Sequence, residues 1–148
     1  GGFHMAKVAV VYWSGTGNTQ KMAEAVVEGA QGAGADVECF EVDSFTVDQI
    51  DGYDGLALGC PSMGAEELEE GSYEPFFAAA VESGKLSGKP VVLFGSWGWG
   101  AGAWMETWSE RTKEAGANLV DTFIVENEPD DEGLEGSKNL GAALVGAC

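Results

Sequence analysis

Hydrophobic residues in this chain gather in short runs that do not alternate with polar ones. Each run is followed by a glycine-bearing loop and then by a stretch with apolar positions at helical spacing. Strand then helix repeats five times. Strands are predicted over 7–12, 35–42, 55–59, 90–95 and 118–125, and helices over 18–31, 73–83, 102–115 and 134–147, with a weaker helical turn near 47–51. Runs such as Val8-Ala9-Val10-Val11 and Val91-Val92-Leu93-Phe94 are apolar on both faces of the pleat. Strands of that kind belong to a parallel sheet covered by helices on each side. The fold class that follows is α/β, a three-layer domain around a five-stranded parallel sheet. No internal repeat, low-complexity tract or linker interrupts the pattern, so residues 5–148 read as a single domain.

Composition narrows the partners. Seven Lys and Arg stand against 25 Asp and Glu, a net charge of −18, which repels phosphate backbones and anionic lipid surfaces and favours basic partners. Nucleic-acid and membrane binding are therefore not expected. With 45% hydrophobic residues the chain still has the material for a core, unlike a disordered acidic tail. Acidic clusters at 66–70 and 126–132 fall in predicted loops, where most of their residues make a solvated face. Cys39, Cys60 and Cys148 are too widely spaced for a disulfide framework or a metal motif, which fits a reducing, cytoplasmic setting. The first four residues read as an expression scar ahead of Met5, and His4, the one histidine, falls within them. Histidine-dependent triads and metalloprotease motifs are thereby excluded.

Ligands of open parallel sheets bind beyond the carboxyl ends of the strands, where the strand order reverses. The loops at 14–19, 60–67 and 96–102 follow strands, and they have the least ordinary local sequences in the chain. In Ser14-Gly15-Thr16-Gly17-Asn18-Thr19, backbone N–H groups and the positive end of a helix converge on one point, an anion site. Four polar side chains in six residues exceed what a helix cap needs, although Asn18 or Thr16 also suits a cap. The loop lacks the Lys-Ser/Thr pair of a nucleoside triphosphate loop and the third glycine of a dinucleotide fingerprint. A terminal phosphomonoester suits it better. A phosphatase would need a cysteine and an arginine in this loop, and a phospho-receiver would need an aspartate after the third strand; the chain has neither.

The fourth strand ends in Gly95-Ser96-Trp97-Gly98-Trp99-Gly100. Glycines on both sides leave Trp99 open to stack on a planar ligand, whereas Trp97 suits a core aromatic equally well. After the third strand come Ser62-Met63-Gly64-Ala65-Glu66. Met63 offers a polarizable side chain for the other face of a flat ring, Glu66 offers an acceptor for an edge N–H, and Gly64 can turn its peptide.

These segments resemble the flavodoxins, specifically the short-chain clostridial type. The resemblance rests on Val11-Tyr12-Trp13-Ser14-Gly15-Thr16-Gly17-Asn18-Thr19, Leu58-Gly59-Cys60-Pro61-Ser62-Met63-Gly64, Glu74-Pro75-Phe76 and Leu93-Phe94-Gly95-Ser96-Trp97-Gly98-Trp99-Gly100, which are collinear and span nearly the whole chain. It implies strand order 2-1-3-4-5 with FMN at the switch point, flavodoxin being itself a standard example of that binding rule. It implies that Ser14, Gly15, Thr16, Gly17, Asn18 and Thr19 surround the FMN phosphate, with Trp13 beside them in the cofactor site. Met63 and Trp99 would then sandwich the isoalloxazine, with Gly64 accepting a flavin hydrogen bond in the semiquinone and Glu66 accepting one from the pyrimidine imide. Pro61, Ser62, Ser96, Trp97, Gly98, Gly102 and Asn127 complete the implied set. Two positions depart from the family: Trp97 stands where tyrosine is usual, and Pro61 where some relatives have a phosphate-contacting serine.

The implied function is a low-potential one-electron carrier, not a stand-alone enzyme. It would cycle between semiquinone and hydroquinone and serve basic-surfaced redox proteins, ferredoxin-type donors and acceptors, as a monomer. Two alternatives stand beside it. A quinone or azo-dye reductase of the same fold would relay hydride to a substrate, and a regulatory module would have lost the cofactor.

Overall fold

The computed structural model describes residues 5–63, 67–98 and 100–148. Five strands form one sheet, all parallel: β1 (Lys7–Tyr12), β2 (Asp36–Glu41), β3 (Gly55–Gly59), β4 (Pro90–Trp97) and β5 (Asn118–Glu126). Their order is β2-β1-β3-β4-β5, as the resemblance implies. Four helices cover the sheet, α1 (Asn18–Gly32), α2 (Tyr73–Ser83), α3 (Ala103–Glu114) and α4 (Asp131–Ala147). Among the described residues no helix is long and apolar enough to cross a membrane.

The unalternating runs divide their side chains between two cores, because successive Cβ atoms in a strand point to opposite faces. Ala9, Val11, Leu56, Leu58, Val91 and Leu93 face one way and pack with Tyr73, Phe77, Trp104 and Trp108 of α2 and α3. Val8, Val10, Ala57, Val92 and Phe94 face the other way and pack with Met22 and Val26 of α1 and with Leu140 and Leu144 of α4. All eleven of those strand residues are fully buried.

The predicted boundaries shift where local chemistry decides. β2 ends at Glu41 instead of at 42, because Val42 opens a short 3₁₀ turn and buries its side chain there. A second 3₁₀ turn, Val47–Gly52, stands where the weak helical segment was predicted, with Thr46 and Gln49 forming a reciprocal capping box. α4 begins three residues early because Asp130 caps it, its carboxylate accepting from Gly133 N–H at 2.9 Å. β4 runs on to Trp97, which carries Ser96 within the strand. The order reverses between β1 and β3, so the loops after those strands flank a crevice.

Candidate functional site

At the end of β1 the Trp13 N–H donates to Gly59 O at 3.0 Å, holding the chain beside β3 as it leaves the sheet. Gly17, with φ +96°, turns it into α1. The Ser14 hydroxyl accepts from Gly17 N–H at 3.1 Å and from Gln20 N–H at 3.2 Å, and Thr16 Oγ1 accepts from Asn18 N–H at 3.4 Å. The N–H groups of Gly15, Thr16 and Thr19 find no acceptor among the described residues. First-turn N–H groups point out of a helix along its axis, so the loop presents unpaired donors at a positive helix end. A phosphate dianion suits that donor set. Lys21, one turn on, is paired with Glu128, so its charge is already engaged.

The loop after β3 is pinned along its length. Cys60 N–H donates to Phe94 O, and Ser62 N–H donates to Ser96 O at 3.1 Å. Met63 and Glu67 exchange two backbone hydrogen bonds of 2.9 Å, an antiparallel bridge across the three residues between them. Gly64 and Glu66 lie within those three, outside the described residues. The buried Cys60 sulfur accepts from Glu69 N–H at 3.4 Å, and burial pushes its thiol up to about 12. The Glu69 carboxylate accepts from Gly71, Ser72 and Tyr73 N–H groups at 2.7, 2.8 and 3.0 Å, closing the loop onto the start of α2. Burial alone would raise the Glu69 pKa; those three bonds outweigh it and hold the group below the usual carboxylate value.

β4 delivers Ser96, Trp97 and Gly98. A Cβ on Gly95 would lie 2.1 Å from Cys60 O, so glycine is what lets the ends of β3 and β4 meet. Asn127 N–H donates to Trp97 O at 2.8 Å, and Asn127 takes the left-handed conformation at φ +57°. A Cβ on Gly98 would sit 3.6 Å from the Asn127 side-chain oxygen, which places that amide over the glycine. Asparagine enters this region more readily than other residues with a Cβ, so the turn suits it.

The three loops border an open cavity of about 250 Å³. Trp13, Gly15, Thr16 and Asn18 form its floor toward α1, Pro61, Ser62 and Met63 form one wall, and Ser96, Trp97, Gly98 and Asn127 form the other. Ser14, Gly17 and Thr19 stand behind that lining, and Gly102 borders a separate groove between α3 and β5. Trp99 lies outside the described residues. Sequence reasoning missed the Lys21–Glu128 pair, the Cys60–Glu69 bond and the contact between Thr19 and Ser96. Each joins residues on different elements, and the last spans 77 positions, beyond any local pattern. A second cavity of about 330 Å³ lies between α2 and α3. It adjoins the bidentate Arg111–Glu74 pair and offers no comparable convergence of donors.

Comparison with known proteins bears on the family and the fold. The family model described as Flavodoxin matches residues 10–141. The flavodoxin of Megasphaera elsdenii is 46% identical over 140 residues, covering 95% of this chain and 99% of the relative. That of Clostridium beijerinckii is 49% identical over 123 residues, covering 82% and 88%. The solution structure of two-electron reduced Megasphaera elsdenii flavodoxin superposes with a TM-score of 0.86 over 94% of this chain and 98% of its own. An archaeal flavodoxin at 27% identity gives 0.82, with 95% and 96% covered.

Proposed function

The chain belongs to the flavodoxin family, electron-transfer proteins that bind FMN non-covalently, and from that premise we propose a one-electron carrier serving basic-surfaced protein partners. It works between the half-reduced and fully reduced states of the flavin. The observation that supports this best is the meeting of an unpaired N–H nest with two aromatic-bearing and methionine-bearing loops in one cavity. When bound, FMN supplies the one-electron chemistry, and the protein supplies position and electrostatics.

The N–H groups of Gly15, Thr16 and Thr19, with the side chains of Thr16 and Asn18, hold the phosphate monoester. Met63 lies against the flat ring, clamped by its bridge to Glu67. Trp13 and Trp97, both partly buried against the core, exclude water from the inner edge. Trp99, Gly64 and Glu66 are assigned the ring-stacking, peptide-turning and imide-accepting roles that the resemblance implies. The excess of carboxylates disfavours an added electron at the site. Each ~1.4 kcal/mol of that penalty lowers a one-electron potential by about 59 mV, which makes the fully reduced protein a strong reductant. The same field steers cationic partners toward the cavity.

The test is reductive titration of FMN-loaded protein with dithionite, followed by electron transfer to cytochrome c as a cationic probe. Two separated one-electron steps and a transfer rate that falls with ionic strength are expected. Failure to take up FMN, a single two-electron step, or steady NAD(P)H oxidation by the protein alone would each overturn the reading.

A further inference from the structure

We infer that Glu69 is a positioning residue for the ring end of the cofactor, its carboxylate fixing the base of the loop from which Met63 meets the cavity. This rests on the reading that the chain binds FMN.

Met63 borders the cavity, yet its backbone is held at one place. Among the described residues its N–H and its carbonyl both pair with Glu67, at 2.9 Å each, so Met63 stands where Glu67 stands. Glu67 has no other backbone hydrogen bond among them. Its place is therefore set by the two residues that follow. Leu68 is buried in the core on the α2 and α3 side, and Glu69 engages every polar group it has. Its N–H donates to Cys60 Sγ at 3.4 Å, and its carbonyl accepts from Glu74 N–H at 2.8 Å. Its carboxylate accepts from the N–H groups of Gly71, Ser72 and Tyr73.

Both ends of this knot reach the sheet. Cys60 N–H donates to Phe94 O of β4, and the buried Tyr73 hydroxyl donates to Val11 O of β1 at 2.8 Å. Without the carboxylate, Glu67 and with it Met63 would hang from the fold through Leu68 and the Cys60 sulfur alone. Hydrogen bonds to an ionised acceptor are the stronger kind, and a loop already ordered in the free protein loses less entropy when a ligand arrives. The same carboxylate also closes the start of α2, so two roles must be told apart. A residue that served α2 alone would affect stability and leave Met63 in place. Glu70, the next residue, is exposed and its carboxylate has no partner among the described residues, which makes it the control for lost charge.

The unaltered chain, Glu69→Ala, Glu69→Gln and Glu70→Ala are compared. The FMN dissociation constant is read from flavin fluorescence, and the Met63 methyl and ³¹P resonances are recorded with FMN bound. Amide exchange of Met63 and Glu67 is followed in the flavin-free chain. Glu69→Ala is expected to weaken FMN by roughly three- to tenfold, to shift the Met63 methyl and to speed exchange of both amides, while the ³¹P resonance stays in place. Glu69→Gln keeps one acceptor oxygen and should move the same readouts less, which preserves the test if alanine impairs folding. Glu70→Ala should neither weaken FMN nor move Met63. A lowered Tm with an unmoved Met63 methyl, equal losses in Glu69→Ala and Glu70→Ala, or a displaced ³¹P resonance would overturn the inference while leaving FMN binding intact. An unaltered chain that takes up no FMN would instead overturn the reading beneath it, and the inference with it, even where amide exchange still depends on Glu69.

Discussion

Two tryptophans one turn apart on α3 show how much a single atom decides. Trp104 Nε1 donates to Cys60 O at 3.1 Å, whereas Trp108 Nε1 is buried without a partner among the described residues, its ring packed edge-on between Tyr73 and Phe77. Removing one partner of a buried bond leaves the other unsatisfied, at about 1–3 kcal/mol, whereas removing an orphan donor relieves that cost. Trp104→Phe is therefore expected to lower the urea midpoint more than Trp108→Phe, although both remove the same ring volume. Glu69 sets a pH dependence by the same reasoning. Its pKa is lowered on folding, so its contribution is present above the ordinary carboxylate value and is lost as pH falls through the lowered one. Stability measured from pH 7 down to about pH 3 should fall less steeply in Glu69→Gln than in the unaltered chain. None of these partnerships follows from residue type, since Trp104 and Trp108 have the same periodicity and the same apolar surroundings.

Helices α1 and α4 pack so closely that glycine is required at the crossing. A Cβ on Gly29 would lie 1.9 Å from Lys138 O, and one on Gly141 would lie 2.2 Å from Val26 O. Within a helix, alanine ordinarily gains about 0.5–1 kcal/mol over glycine. At Gly141 the sign reverses, because forcing an atom against backbone costs about 1–3 kcal/mol or more. Gly146, in the same helix with open space around it, keeps the ordinary sign. Thermal melts should show Gly141→Ala lowering Tm and Gly146→Ala raising it. The helices themselves were readable from spacing, and so was the glycine abundance. Which glycines mark an interface was not, because the contact joins helices more than 100 positions apart in the chain.

Across the whole molecule, cations are scarce and mostly engaged. Lys7, Lys21, Lys85, Arg111 and Lys138 pair with carboxylates, and the Lys89 ammonium donates to Tyr53 O at 2.6 Å. The 25 acidic residues far outnumber these cations, and the repulsion within a net charge of −18 opposes compaction. Salt shortens its reach to about 3 Å at 1 M. Raising NaCl from low concentration toward 1 M should raise Tm by several degrees, in the opposite direction to its effect on partner encounter. The two effects separate stability from steering in one titration series.

The sequence by itself determined the layers, the parallel sense of the sheet and the identity of the three loops that meet around the cavity, because strand burial, helical spacing and glycine-rich turns are local properties read within a few residues. Its boundaries slipped by a few residues, at Asp130 and Val42 because a cap or a turn competed. The tertiary structure alone decided which residues of each loop line the cavity. It set Thr19 against Ser96, placed the Asn127 amide over Gly98, committed Lys21 to Glu128 and left Trp108 without an acceptor among the described residues. Hydrogen bonds and close contacts between distant segments depend on where the sheet delivers its strand ends, and no window of sequence holds both partners.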